Sequence, residues 1–252
     1  MKKSSLFFLI VLLISLSCSN IMAQEGEQTK AGSPFSISCD LMSRYVWRGT
    51  DYGGSPSIQP GIEYSIKGFT VGTWGAFTTN LPGVQEVDLY ASYTIKELVT
   101  ITVTDYFFPD EIAGYNYFNY GDTTTGHVFE GALAFNGTEK IPVSFLIATN
   151  FYGADARRMK DNGSLGGLQY STYAEIAYSF KYVDVFMGFN CTTPDTKKGE
   201  MGYYGDSFGV VNLGATFSKD IAITEKFSLP ITASLITNPQ AEKIYLVVGL
   251  SF

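Results

Sequence analysis

Residues 242–252 read EKIYLVVGLSF. In an extended chain successive side chains point to opposite faces, so Ile244, Leu246, Val248, Leu250 and Phe252 share one face. Lys243, Tyr245, Val247, Gly249 and Ser251 share the other. One face is wholly apolar, the other is mixed and small, and the sequence stops on an aromatic. This is the pattern of the closing strand of a bacterial outer-membrane β-barrel, whose apolar face meets lipid and whose interior is wet. Phe252 is then the signal that barrel-assembly machinery would read.

The opposite end agrees. Lys2 and Lys3 precede an apolar run from Leu6 to Leu16, followed by small residues and Ile-Met-Ala at 21–23. That is the layout of a secretory signal peptide over 1–23, cleaved near Ala23/Gln24. The run is shorter than the ~20 residues a membrane helix needs. A lipoprotein signal at Cys18 is an alternative, but Ser15-Leu16-Ser17 leads poorly into a lipidated cysteine. Residues 24–34 carry no pattern and read as a flexible periplasmic leader, leaving 35–252 for the barrel.

Without residues 1–23 the chain holds 15 Lys+Arg against 24 Asp+Glu, a net charge of −9. Nucleic acid is therefore not an expected partner. Frequent Tyr, Phe and Gly favour strands and tight turns. Cys39 and Cys191 fall in the apolar phase of their strands and are expected to be unpaired. With His127 the sole histidine, no Cys/His metal site can be assembled, and no cofactor is expected.

Twelve segments alternate with period two: 35–48, 57–67, 69–79, 86–96, 98–108, 127–136, 141–152, 168–181, 182–192, 208–218, 225–237 and 242–252. Short turns such as Lys67-Gly68 and Lys96-Glu97 follow the even strands. Long polar loops such as 109–126 and 153–167 follow the odd ones. Alternating turns and loops with an even strand count is the signature of an all-β, up-and-down antiparallel transmembrane barrel. Twelve strands are expected over ten or fourteen. Pro60 lies within the second segment and is expected to sit at a bulge. Pro142 and Pro230 fall near the periplasmic strand starts, where a bulge or late pairing would absorb them.

The inward phase collects charge. Asp40, Glu63, Glu86, Asp88, Glu130, Glu175 and Asp184 share it with Arg44, Arg48, Lys181 and Lys243. A cation on the lipid face costs roughly 2–4 kcal/mol at mid-depth, so these charges belong in the lumen. An acidic lumen favours cations; acids paired with arginines across it would instead plug it. Arg44 and Arg48, read as two inward positions near the outer mouth, are placed to pair with Glu86 and Asp88. Alternatively they are rim arginines facing lipopolysaccharide phosphates. Tyr45, Trp47, Phe107, Phe108, Phe151, Tyr170, Phe180, Phe227 and Phe252 cluster at strand ends, as interfacial girdles do. In loop 109–126 the tyrosines and Phe118 are placed to stack on sugars, to fold back into the mouth, or to pack on neighbouring loops.

Five motifs then carry a resemblance: Ser43-Arg-Tyr-Val-Trp-Arg-Gly49, Gly68-Phe-Thr-Val-Gly-Thr-Trp74, Glu86-Val-Asp-Leu-Tyr90, Tyr106-Phe-Phe-Pro-Asp110 and Gly202-Tyr-Tyr-Gly-Asp206. In this order the chain resembles the TorF-type porin family, small outer-membrane barrels of unassigned substrate. The resemblance implies location and architecture, and no chemistry. His127 has no serine nucleophile near it in sequence, so an enzyme is not expected. The expectation is an outer-membrane channel for passive diffusion of small hydrophilic solutes, preferring cations. Its partners are outer-membrane lipid, lipopolysaccharide and the solutes themselves. The alternative is a non-conducting anchor or adhesin that binds partners through its loops.

Overall fold

The computed structural model describes residues 33–80, 83–109, 116–225 and 227–252. The expected signal peptide, 1–23, and most of the expected leader, 24–34, lie outside the described residues. Twelve antiparallel strands close into one barrel. They are β1 (Phe35–Met42), β2 (Ser57–Ile66), β3 (Phe69–Thr78), β4 (Gln85–Ile95), β5 (Val99–Phe107) and β6 (His127–Phe135). The second half comprises β7 (Val143–Gly153), β8 (Thr172–Ser179), β9 (Val183–Asn190), β10 (Gly209–Ala222), β11 (Ser228–Asn238) and β12 (Lys243–Ser251). Each strand pairs with its neighbours in sequence, and β12 returns to β1 through Asp40–Ser251, Leu41–Leu250 and Met42–Gly249. Closure leaves no bare edge, which is what lets a sheet cross lipid. Among the described residues no helix is long and apolar enough to cross a membrane.

The alternation has a direct physical outcome. Ile37, Ile62, Val71, Leu89, Ile101, Leu133, Phe145, Ile176, Leu235 and Leu246 are all exposed on the outer face. Their neighbours Asp40, Gln59, Glu86, Thr102, Glu130, Ser144, Glu175, Thr232 and Val247 are buried inside. An apolar exterior around a polar interior inverts a soluble fold and marks lipid as the outer solvent. Cys39 and Cys191 are free thiols.

One end of the barrel carries short turns. Lys67 and Gly68 both have positive φ (51° and 83°), so β2 and β3 are joined by the two-residue turn that matches strand twist. The other end carries long loops. The structure departs from the sequence reading at three places here. Pro60 makes no bulge: the β2–β3 register is the same on both sides of it, and the missing N–H leaves a gap in the ladder. Pro142 precedes β7, and Pro230 lies before β12 begins to pair at Ile231. Segment 168–181 shortens to Thr172–Ser179, because Leu165–Leu168 pairs instead with Arg157–Met159 in a loop hairpin.

The third departure is the largest. The alternation through 35–48 predicts one strand, but β1 ends at Met42. Beyond it Val46–Trp47 pairs with Thr50–Asp51 in a small hairpin of its own. Its two turn residues, Arg48 and Gly49, have φ of 49° and 79°. The hairpin keeps period-two alternation, so the sequence pattern runs on unbroken while the chain folds into the lumen.

Candidate functional site in the barrel lumen

The site grows from that hairpin. Tyr45 and Trp47 are 4% and 5% exposed, inside the barrel and not at a lipid interface. Their girdle assignment is corrected: residues 43–51 are not part of the barrel wall, so their alternation does not report on the barrel's two faces. They pack with Ala76, Tyr106, Val128, Tyr173, Tyr204 and Val211 into one apolar cluster within the lumen. Tyr204 comes from the connection 191–208, which brings Tyr203 and Tyr204 into the cluster. Trp47 lies 5.4 Å from the Tyr106 ring and 6.1 Å from the Tyr204 ring.

Arg48, 5% exposed, is the centre. It donates from Nη1 and Nη2 to the two carboxylate oxygens of Glu130 at 2.5 and 3.0 Å, and from Nη1 to Tyr204 Oη at 2.5 Å. Its guanidinium carbon lies 4.3 Å from the Trp47 ring centre, 4.6 Å from Tyr173 and 5.3 Å from Tyr204. Glu130 also accepts from Tyr106 Oη at 3.0 Å and Tyr204 Oη at 3.1 Å. Glu175 accepts from Tyr173 and, at 3.1 Å, from Asn212 Nδ2. Arg48 Nε has no hydrogen-bond partner among the described residues. Breaking a buried, doubly bonded pair of this kind costs roughly 3–5 kcal/mol, because a charge is left uncompensated.

The expected pairing of Arg44 and Arg48 with Glu86 and Asp88 is therefore corrected. Arg48 reaches past β4 to Glu130 on β6, because the hairpin carries it across the lumen. Arg44 is not on a strand either: it pairs with Asp51 inside the same hairpin and is partly exposed. Glu86 accepts from Tyr45 Oη at 2.6 Å, and Asp88 lies two residues on, with one carboxylate oxygen unpartnered. Deeper, towards the short turns, Glu63 accepts from Tyr90 Oη at 2.5 Å. Asp40 is buried beside Ser251, which it faces across the β1–β12 ladder. Lys181 and Lys243 are exposed at the barrel ends. The structure thus brings Arg48, Glu130 and Glu175 together, with Glu86 and Asp88 beside them, and leaves Asp40, Glu63 and Arg44 apart.

Tyr106, Tyr173, Tyr204 and Asn212 escaped the sequence reading. Tyr106 continues the inward phase of Thr100, Thr102 and Thr104, and that signal was available. Tyr204 lies in a loop, where periodicity is silent.

His127 sits at the long-loop end of β6 and is fully buried. Segment 116–120 folds back over the barrel's outer wall and covers it. Nδ1 lies 2.7 Å from Asp105 Oδ1 and Nε2 lies 2.6 Å from the Tyr117 carbonyl oxygen, with Tyr120 stacked at 4.4 Å. The same cover reaches Phe107, whose ring meets Tyr117 edge-on at 5.2 Å. Phe107 is thus buried and not part of a girdle, and Phe108 packs inward against the lumen cluster. Tyr152 Oη donates to the Tyr120 carbonyl, so this loop packs on its neighbour.

The other loops are tied together. Arg157 pairs with Asp122, Arg158 with Glu200, and Lys198 with Asp161. The backbone N–H groups of Asp195 and Met159, at 2.7 and 2.8 Å, together with Arg158, hold the Glu200 carboxyl down at about 2. No group of three or more His, Cys, Asp or Glu among the described residues could hold a metal ion.

No curated protein matches the chain in sequence. In structure it is similar to the NanC porin, at 9% identity over 86% of this chain and 98% of that one, with a TM-score of 0.47. It is also similar to the KdgM porin, at 9% identity over 86% and 97% of the two chains, TM-score 0.43. OprD from Pseudomonas aeruginosa aligns at 13% identity over 85% and 64%, TM-score 0.33. One family model matches residues 27–165, more than half of the chain, and on that match the chain belongs to the Gcw_chp family, described as bacterial protein of unknown function.

Proposed function

We propose that this barrel is an outer-membrane channel for small hydrophilic solutes, held narrow by the inward-folded 43–51 hairpin. One observation carries the reading: the cation at the centre of the obstruction is carried by a loop and not by the wall. Tyr106 and Tyr173 reach the central cluster from the strands, but Trp47, Arg48 and Tyr204 come from two connections. Loops relocate at far lower cost than strands. The short-turn end faces the periplasm and the long loops face outward, as in other barrels of this class. The ordered motifs that resemble the TorF-type porins support the same reading.

Among the described residues, five buried wall acids (Asp40, Glu86, Asp88, Glu130 and Glu175) against one buried base, Arg48, favour cations in any open state. The test is conductance of the purified protein in a planar bilayer across a salt gradient. Reversal potentials should show cation selectivity that weakens as salt rises. Glu86→Gln with Asp88→Asn should reduce it. Anion selectivity would overturn the preference. Absence of conductance would favour the second reading, a non-conducting anchor, for which the ion pairs that knit the long loops into one platform are the supporting observation.

A further inference from the structure

Arg48 occupies a site built for an organic cation. Its guanidinium has a two-oxygen carboxylate on one side, three aromatic rings around it, and tyrosine hydroxyls that orient the carboxylate. Planar bidentate pairing and aromatic faces together suit a guanidinium, and suit a strongly hydrated metal ion poorly. Two of the three rings, Tyr173 and Tyr204, and both nearby carboxylates, Glu130 and Glu175, belong to the wall or to another loop. The cage therefore remains when the hairpin leaves. It holds two carboxylates for one arginine, and Tyr173 and Asn212 fix the second of them in place. The occupant fits imperfectly. Its Nε is buried without a partner, and its backbone is in the left-handed region that non-glycine residues avoid.

We propose that Arg48 is a tethered mimic of the solute, and that the cage of Glu130, Glu175, Tyr106, Tyr173 and Tyr204 binds guanidinium- or alkylammonium-bearing solutes that displace it. The inference rests on the channel reading for the route by which a solute arrives. It adds the chemical class of the solute and a reason for the plug: the site is closed by a residue that only a like cation competes away.

The test uses folded, detergent-solubilised full-length protein and agmatine as the probe, with binding measured by calorimetry. Arg48→Ala removes a competitor whose effective concentration is of the order of millimolar, so agmatine should bind at least about tenfold tighter than to the wild type. Glu130→Gln in the same background should abolish that gain, and glycerol should bind neither protein. Equal agmatine affinity in wild type and Arg48→Ala, both shown to be folded by heat-modifiable migration, overturns the proposal. If Arg48→Ala does not fold, Arg48→Lys keeps the charge and loses the bidentate fork. Tighter agmatine binding than wild type supports the proposal, and no change overturns it. Bilayer recordings separate the two readings. Agmatine binding without conductance in any variant sustains the cage and defeats the channel. Conductance without agmatine binding sustains the channel and defeats the cage.

Discussion

Gly49 lies directly against the backbone of Val211. A Cβ built on Gly49 would stand 1.9 Å from the Val211 carbonyl oxygen, at a residue whose φ is 79°. The Gly49 carbonyl in turn accepts from Asn238 Nδ2 at 3.2 Å. The tip of the inward hairpin thus touches β10 and β11, two strands that do not pair with the one that carries it, and it does so only because position 49 lacks a side chain.

Gly49→Ala should therefore push the hairpin off that wall without touching any charged group. Backbone cannot yield to a contact that short. The expected outcome is a folded barrel in which Trp47 is more accessible to acrylamide quenching and single-channel conductance is higher. Unchanged quenching with a folded barrel would mean the hairpin has another way to seat.

Closed barrels resist detergent. The purified protein should migrate differently on a gel before and after boiling, since every ladder from β1 to β12 is paired and no edge offers a starting point. Identical migration of a sample with a folded circular-dichroism spectrum would argue against closure.

Leu246 and Val247 are adjacent and face opposite solvents, at 66% and 4% exposure. Leu246→Arg should block stable assembly, because arginine at mid-membrane costs roughly 2–4 kcal/mol. Val247→Thr should assemble, at a cost of about 1–2 kcal/mol for a hydroxyl placed beside Met42 and Ile236. The measurement is the folded fraction recovered from outer membranes. Equal recovery of both variants would reverse the facing of β12.

The loop platform has a built-in acid limit. Glu200 titrates at about 2 in the folded loops, below its ordinary 4.5, chiefly because the Asp195 and Met159 amides donate to the charged form. A depressed carboxylate contributes stability that is present above its unfolded value and is lost as pH falls through the folded one. The loops should stay docked at pH 4 and release as pH approaches 2. Amide protection of Met159 and Asp195 should follow that course, and Glu200→Gln should weaken it at every pH. Protection that collapses between pH 5 and 4 would assign the docking to other carboxylates.

The wall of this molecule was legible in its sequence, and the plug was not. Period-two alternation places Leu89 outward and Glu86 inward with no knowledge of partners, because lipid and water impose the pattern on every strand separately. Turns such as Lys67-Gly68 announce themselves by composition. Alternation says nothing of where a strand stops, and a hairpin lying in the lumen alternates too. Tyr45 and Trp47 were therefore misplaced, and the one readable warning was Arg48-Gly49, a polar residue and a glycine where a two-residue turn could form. The pairing of Arg48 with Glu130 lay beyond reach for a different reason. It depends on how far a loop leans across the interior, and no local property of either residue encodes that distance.

The β1–β12 seam has a consequence for how the molecule comes into being. Cys39 and Phe252 exchange two backbone hydrogen bonds of 3.1 Å, joining the first strand to the last. All other ladders link strands consecutive in sequence. This one must wait for the whole chain, and its loop-closure entropy is the largest in the fold. Until it forms there is an open sheet with two bare edges and no interior, so Arg48 and Glu130 have no shelter from water. Enclosure, burial of the ion pair and loss of the sticky edges then arrive in a single late event. The slow step of maturation and the moment of greatest aggregation risk are the same step.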